Sequence, residues 1–138
     1  MIRRTLLALP FVISLFACSG DQPAAALLTG TWAPQSAQLG GLDMPIAAFQ
    51  GSNLNLTTDG YEFAGDKGTY TLVTTTKPAQ LDILGQEGPN AGRTIQAIYE
   101  LSGDHLTVCY QLGAGPRPTA FESPADTQVF LVHYQGVP

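Results

Sequence analysis

The sequence predicts an all-β fold: an antiparallel meander of about eight strands closing into a small barrel, behind an N-terminal signal segment. Three observations carry this. Runs rich in Thr, Val, Ile, Tyr and Phe recur along the chain with apolar residues at alternate positions, the period of strands with one buried face. Glycines flanked by Asp, Asn or Pro punctuate these runs at short intervals. No segment sustains the 3.6-residue period of a long helix. Closure then removes the open edges that an eight-strand meander would otherwise expose.

The chain begins with the parts of an export signal. Arg3 and Arg4 supply a positive start, and Leu6 to Ala17 form a mostly apolar run of signal-core length. A spanning helix would need about 20 apolar residues, more than this run holds. The run ends in Leu15-Phe16-Ala17-Cys18-Ser19-Gly20, which resembles the lipobox of bacterial lipoproteins. That resemblance implies cleavage before Cys18, lipidation of Cys18, and anchorage by several acyl chains, which hold far more firmly than one. The expected organisation is therefore a signal peptide over 1–17, a tether over 18–27 and a barrel domain over 28–138. Ser19, standing where Asp would favour inner-membrane retention, points to the outer membrane, with the domain facing the periplasm.

Lipidation also settles the cysteine arithmetic. Two cysteines in an exported chain ordinarily suggest a disulfide. An acylated Cys18 leaves Cys109 alone, within Leu106-Thr107-Val108-Cys109-Tyr110. That setting suits a small buried hydrophobe, with no basic neighbour in sequence to activate the thiol. Without the signal, four Lys/Arg (Lys67, Lys77, Arg93, Arg117) face eleven Asp/Glu. A balance of about −7 disfavours nucleic acid and anionic headgroups as partners; it either favours a basic partner or only serves solubility.

The strands follow in order. They are expected near 30–38, 53–58, 61–64, 68–75, 80–84, 93–101, 105–111 and 128–134. Asp59-Gly60 reads as a hairpin turn, because both residues tolerate positive φ. Gly65-Asp66-Lys67 and Ser102-Gly103-Asp104 read as tight turns. Ile95, Ala97, Tyr99 and Leu101 share one strand face, as do Leu106, Val108 and Tyr110. From Val129 to Tyr134 the last strand is apolar on both faces. Residues 45–50 suit one helical turn. Residues 112–127, with three prolines and two glycines, form a connection long for a compact domain. It is either a functional loop or a strap packed across the barrel.

Gly30-Thr31-Trp32 at the start of the first strand resembles the opening of lipocalin-like barrels. The wider series extends the likeness: Gly68-Thr69-Tyr70, Lys77-Pro78, Leu81-Asp82, Glu87-Gly88-Pro89 with Gly92, Ile98 through Tyr110, and Arg117-Pro118 with Phe121. Together these are similar to a small bacterial lipocalin-like domain family of planctomycete type, of unknown function, often found behind signal peptides or lipoboxes. The resemblance spans about residues 28–134. It implies the barrel, and it implies that Trp32 closes one end with the Arg117 guanidinium over its ring, a cation–π contact of about 0.5–2 kcal/mol. The alternative for Arg117 is a pair with a carboxylate such as Glu100.

Chemical motifs fall away on inspection. Residues 85–94 lack the lysine and following helix of a phosphate loop. Ser102, Asp104 and His105 crowd a hairpin tip, where a catalytic relay rarely orients, and no nucleophile elbow exists. His105 and His133 lack metal-ligand spacing, and no calcium loop is present. No cofactor or metal is expected, and the role expected is non-catalytic. An eight-stranded barrel either fills with side chains or holds one small ligand. Tyr70, Tyr99 and Tyr110, with Tyr61 and Tyr134, are the candidates to line such a cavity. The first functional expectation is an anchored binder of a small apolar ligand or envelope component. The alternative is an inhibitor or immunity protein against an envelope-acting toxin or hydrolase.

Overall fold

The computed structural model describes residues 24–49 and 51–138. The expected signal peptide, Cys18 and most of the tether lie outside the described residues. A short helix α1 (Ala24–Leu28) leads into nine strands: β1 (Gly30–Leu39), β2 (Leu42–Met44), β3 (Leu54–Leu56), β4 (Gly60–Phe63), β5 (Asp66–Val73), β6 (Ala79–Glu87), β7 (Thr94–Ser102), β8 (His105–Gln111) and β9 (Val129–Val137), with a 3-10 turn at Ile46–Phe49. Consecutive strands pair antiparallel except β2 and β3, which both pair with β1, and β9 returns to β1. Eight strands close the barrel, while β2 is a short flap on the end of β1. The meander barrel expected from the sequence is the observed fold.

β2 is the strand the sequence pattern does not reveal. It has three residues, none of them buried, so no alternation marks it. Gly40 and Gly41, at φ 58° and 81°, fold it back onto β1. The β3–β4 hairpin also forms by a different route from the expected one. Neither Asp59 nor Gly60 has positive φ. Gly60 is already the first residue of β4, and Thr57 holds the turn. The Thr57 N–H donates to the Gly60 carbonyl at 2.9 Å, and the Gly60 N–H to Thr57 Oγ1 at 2.9 Å. Positive φ falls instead at Ala64 and Gly65, the turn between β4 and β5.

The barrel has two unlike ends. The start of β1, the loop at 57–59, the loop at 74–78, the turn at 103–104 and the end of β9 share one end. There α1 turns Leu28 inward until it is 2 % exposed, among Leu54, Leu56, Leu81, Leu106 and Val108. The Trp32 indole N–H donates to the Leu28 carbonyl at 2.8 Å and ties this plug to β1. Residues 24–28 are thus helical, whereas the sequence suggests a plain extended tether up to Leu27. Only about 10 Å³ of space remains in this half of the barrel, so side chains fill it, as expected for eight strands.

A second apolar layer lies outside the barrel wall. Ile98, Cys109, Val129 and Leu131 point away from the interior and pack together under Phe121. The cover is the 112–127 connection. It has no regular structure and lies back across the sheet as a strap. Of the two readings open for this segment, the strap is the one found. It also explains why β9 is apolar on both faces: one face meets the core, the other the strap.

Candidate functional site

The opposite end of the barrel holds the candidate site. It is a cavity of about 170 Å³ to which β1 and β3 to β9 all contribute lining residues. Half-buried Phe49, Phe63, Phe130 and Leu112 surround its mouth. The aromatic rings run in a chain. Phe49 meets Phe63 edge-on with centroids 6.0 Å apart, and Phe130 at 6.2 Å. Phe130 stacks on Tyr110 at 5.9 Å. Phe49 comes from the 3-10 turn, so the helical turn expected at 45–50 has a purpose: it brings a ring over the mouth. Offset and edge-on packing of this kind favours flat apolar guests as well as the rings themselves.

Three tyrosines give the cavity a polar lining. Tyr110 and Tyr134 are deeply buried, and their hydroxyls share a hydrogen bond at 2.9 Å. Burial pushes both phenols well above their ordinary range; the partner's hydrogen bond partly offsets this for Tyr110 and adds to it for Tyr134. Tyr61 is different. Its residue is 6 % exposed and its hydroxyl is inaccessible to solvent, yet the oxygen has no hydrogen-bond partner among the described residues. Burial first, and then the charge and proximity of the Asp66 carboxylate, push its phenol up to about 12. The carboxylate is close enough to act on the phenol by its charge and by a hydrogen-bond contact that falls short of ordinary geometry. Both its oxygens are already engaged: Oδ2 accepts from Asn90 Nδ2 at 2.7 Å, and Oδ1 from the Asn90 N–H at 3.3 Å. An unpaired buried hydroxyl costs about 1–3 kcal/mol.

Of the tyrosines put forward from sequence, Tyr110 lines the cavity and Tyr70 and Tyr99 do not. Depth along the strand decides this. Tyr70 lies far enough along β5 to reach the plugged end, where its hydroxyl donates to the Thr57 carbonyl at 2.5 Å. Tyr99, near the same end of β7, borders the filled interior and an outer groove. Strand alternation marks all of them as inward but says nothing of height. Phe49, Phe63 and Phe130 escaped sequence reasoning, because two of them sit at element ends where alternation is short.

Trp32 and Arg117 do not meet as the resemblance implies. Trp32 is 5 % exposed in the interior cluster. The Arg117 guanidinium lies on the outer face, where Nη2 is 2.7 Å from Asp82 Oδ1. This is an ion pair by distance, without hydrogen-bond alignment at that oxygen. Nη1 donates to the Ala97 carbonyl at 2.9 Å and the Leu81 carbonyl at 3.4 Å. The carboxylate alternative is the one observed, with Asp82 in place of Glu100. Trp32 packs in the core and bonds the Leu28 carbonyl, with no arginine over its ring.

The remaining sequence candidates are scattered. Asp104 and His105 stand 3.5 Å apart on an exposed turn, where Asp104 also accepts from Gln135. Cys109 is fully buried under the strap, and its thiol donates to the Glu122 carbonyl at 3.3 Å. Burial pushes this thiol up, away from reactivity. No cluster of His, Cys, Asp and Glu among the described residues could hold a metal ion. No helix among them is long and apolar enough to cross a membrane. A groove of about 590 Å³ runs over the surface between α1, residues 74–79 and Tyr99–Leu101. It is edged by exposed Leu27, Thr74, Lys77 and Glu100, so it is open to solvent in a way the barrel cavity is not.

Compared with protein families, curated proteins and solved structures, the chain has no match.

Proposed function

We propose that this is a lipid-anchored envelope protein whose lipocalin-like barrel binds a small, mainly apolar ligand at its open end, without catalysis. The observation that carries the reading is the cavity itself: about 170 Å³ inside an otherwise filled barrel, surrounded by aromatic rings and lined by three tyrosines. A cavity of about 150 Å³ suffices for benzene, so the guest is of one-ring size. An apolar recess with a few placed polar groups is the usual form of a small-molecule site.

The lipobox-like segment supports the anchor, and the topology supports its orientation. The chain enters the barrel at the plugged end, so an acylated Cys18 would hold that end to the bilayer. The mouth would then face the periplasm and take its ligand from solution. Cys18→Ser should move the protein from the membrane to the soluble fraction; retention in the membrane would overturn the anchor. For the ligand, native mass spectrometry of the full chain should show uptake of single-ring compounds, lost when Leu112→Trp fills the mouth. A chain that takes up no such compound would defeat the ligand-binding reading.

A second reading, an inhibitor or immunity protein, draws on Leu42 and Ile46. They are 74 % and 39 % exposed on β2 and the 3-10 turn beside the mouth. Leu42→Asp should abolish complex formation with an envelope hydrolase or toxin if that reading holds, and should leave small-molecule uptake intact if it does not.

A further inference from the structure

Asp66 is the one charged side chain among the residues lining the barrel cavity. Strand pairing sets its position. Phe63 and Asp66 are cross-strand partners where β4 turns into β5, so ring and carboxylate stand side by side on one face of the sheet. Along β5, Asp66 alternates with Gly68 and Tyr70. Tyr70 is buried in the core, so that face is the inner one. Asp66 itself keeps part of its surface open, and Asn90 fixes its carboxylate from the turn between β6 and β7. The charge is felt within the wall: after burial, it is the next cause that raises the Tyr61 phenol. Six aromatic side chains share the lining, half-buried Phe49, Phe63 and Phe130 with buried Tyr61, Tyr110 and Tyr134. No Lys, Arg or His is among the lining residues. Arg93 lies behind Asn90 and Leu112, its guanidinium donating to their oxygens at 3.1 and 2.6 Å.

We propose that the cavity takes a small organic cation, an alkylated ammonium of about one-ring bulk, held by the aromatic rings and the Asp66 charge. The inference rests on the ligand-binding reading above and gives it a chemical class. Size restricts the guest to about one ring. Aromatic faces carry negative potential and attract a cation, most of all one out of water. The Asp66 charge acts in the same direction. In a recess of low dielectric it attracts a cation and repels an anion across a distance, so the guest need not touch the carboxylate. Alkyl groups on the nitrogen spread its charge and weaken its hydration, so an alkylated ammonium gives up less on leaving water than a bare one. The acidity of the whole chain adds to this. Without the signal segment, eleven Asp/Glu against four Lys/Arg raise the local concentration of cations at its surface.

The test uses the full chain with ring-labelled tyrosine in nanodiscs of neutral lipid, and empty nanodiscs to correct for partitioning. Phenyltrimethylammonium, tert-butylbenzene and benzoate are the probes. The first two share a shape and differ by one charge. Three of the five tyrosines line the cavity, so binding reads as saturable shifts of their ring signals. Phenyltrimethylammonium should bind about tenfold tighter than benzoate. Asp66→Asn should lower its affinity about tenfold relative to tert-butylbenzene, the scale of one unit charge about 10 Å away at an effective dielectric of about 20. A ratio unchanged in Asp66→Asn, or benzoate binding as tightly as the cation, overturns the cation class. The comparison with benzoate needs no variant, so it decides the class even when Asp66→Asn does not fold. Uptake of tert-butylbenzene alone overturns the class while preserving ligand binding. If none of the three binds the wild-type chain, the ligand-binding reading falls with the class.

Discussion

Arg117 and Asp82 form an ion pair at 2.7 Å on the outer wall of the barrel, joining the strap to β6. The strap covers an apolar patch that a barrel would not normally keep outside, and Arg117 is one of its fastenings, beside Ser123 and the Glu122 carbonyl. The same guanidinium reaches two strand carbonyls, so its loss leaves more groups unpaired than the loss of Asp82 does.

Arg117→Ala should therefore lower stability by about 2 kcal/mol, and Asp82→Asn by about 1 kcal/mol or less, because the pair is partly exposed and only the arginine carries the additional bonds. Denaturant unfolding measures both. The loosened strap should also uncover Cys109, which is 0 % exposed. Thiol labelling should be slow in the native protein and many-fold faster in Arg117→Ala. Equal rates would show that the strap is held by other contacts.

Leu28 plugs the barrel from α1, and its carbonyl receives the Trp32 indole. Leu28→Ala should cost about 3 kcal/mol, within the range for a buried leucine that leaves a cavity behind. The fluorescence of Trp32, the single tryptophan, should shift to the red as water gains access. An unchanged melting temperature would mean that the helix contributes little to closure.

Gly68 allows two close approaches. A Cβ there would collide with the Leu84 carbonyl oxygen and come within 2.9 Å of the Tyr61 ring. Gly68→Ala should cost about 1–3 kcal/mol as overpacking. It should also weaken small-molecule uptake, because the ring of Tyr61 must move. Gly65→Ala keeps open space around its Cβ but has φ 85°. It should lower stability through backbone strain and leave uptake unchanged.

Alkaline pH should unfold the barrel cooperatively. Tyr61, Tyr70, Tyr99, Tyr110 and Tyr134 all have phenols raised above their ordinary value of 10.0, in each case chiefly by burial. Below that value the phenols are protonated in both folded and unfolded chains, and their contribution to stability is constant. Above it the unfolded chain releases its phenolic protons first, so stability falls with rising pH, for Tyr61 up to about pH 12. Cys109, raised from 9.0 by burial, adds a loss in the same direction that begins lower. Phenolate absorbance and circular dichroism should therefore change together above pH 10. Phenolate appearing well before unfolding would contradict the burial of these rings.

Alternation along Ile95–Leu101 and Leu106–Tyr110, with Gly103 at the turn between them, was enough to read β7 and β8 almost to the residue. These signals are local: a strand with one buried face writes its period of two into the chain, and a turn with positive φ favours glycine. β2 was not legible, because three exposed residues carry no period. The reach of β6 to Glu87 was hidden because its outer residues are polar beyond Leu84. The 112–127 segment was recognisable as unusual, but its prolines could not say whether it swings free or lies on the wall.

By itself the sequence determined that the chain is an all-β meander with enough strands to close, and that its tyrosines point inward. Only the tertiary structure decided the height of each inward residue. Height depends on barrel closure and strand stagger, which bring residues distant in sequence to one level. That is why Tyr110, Tyr134 and Tyr61 surround a cavity with Phe49 and Phe130, while Tyr70 and Tyr99 pack toward a filled floor. It is also why Arg117 meets Asp82 instead of Trp32: the strap runs outside a wall that only closure creates.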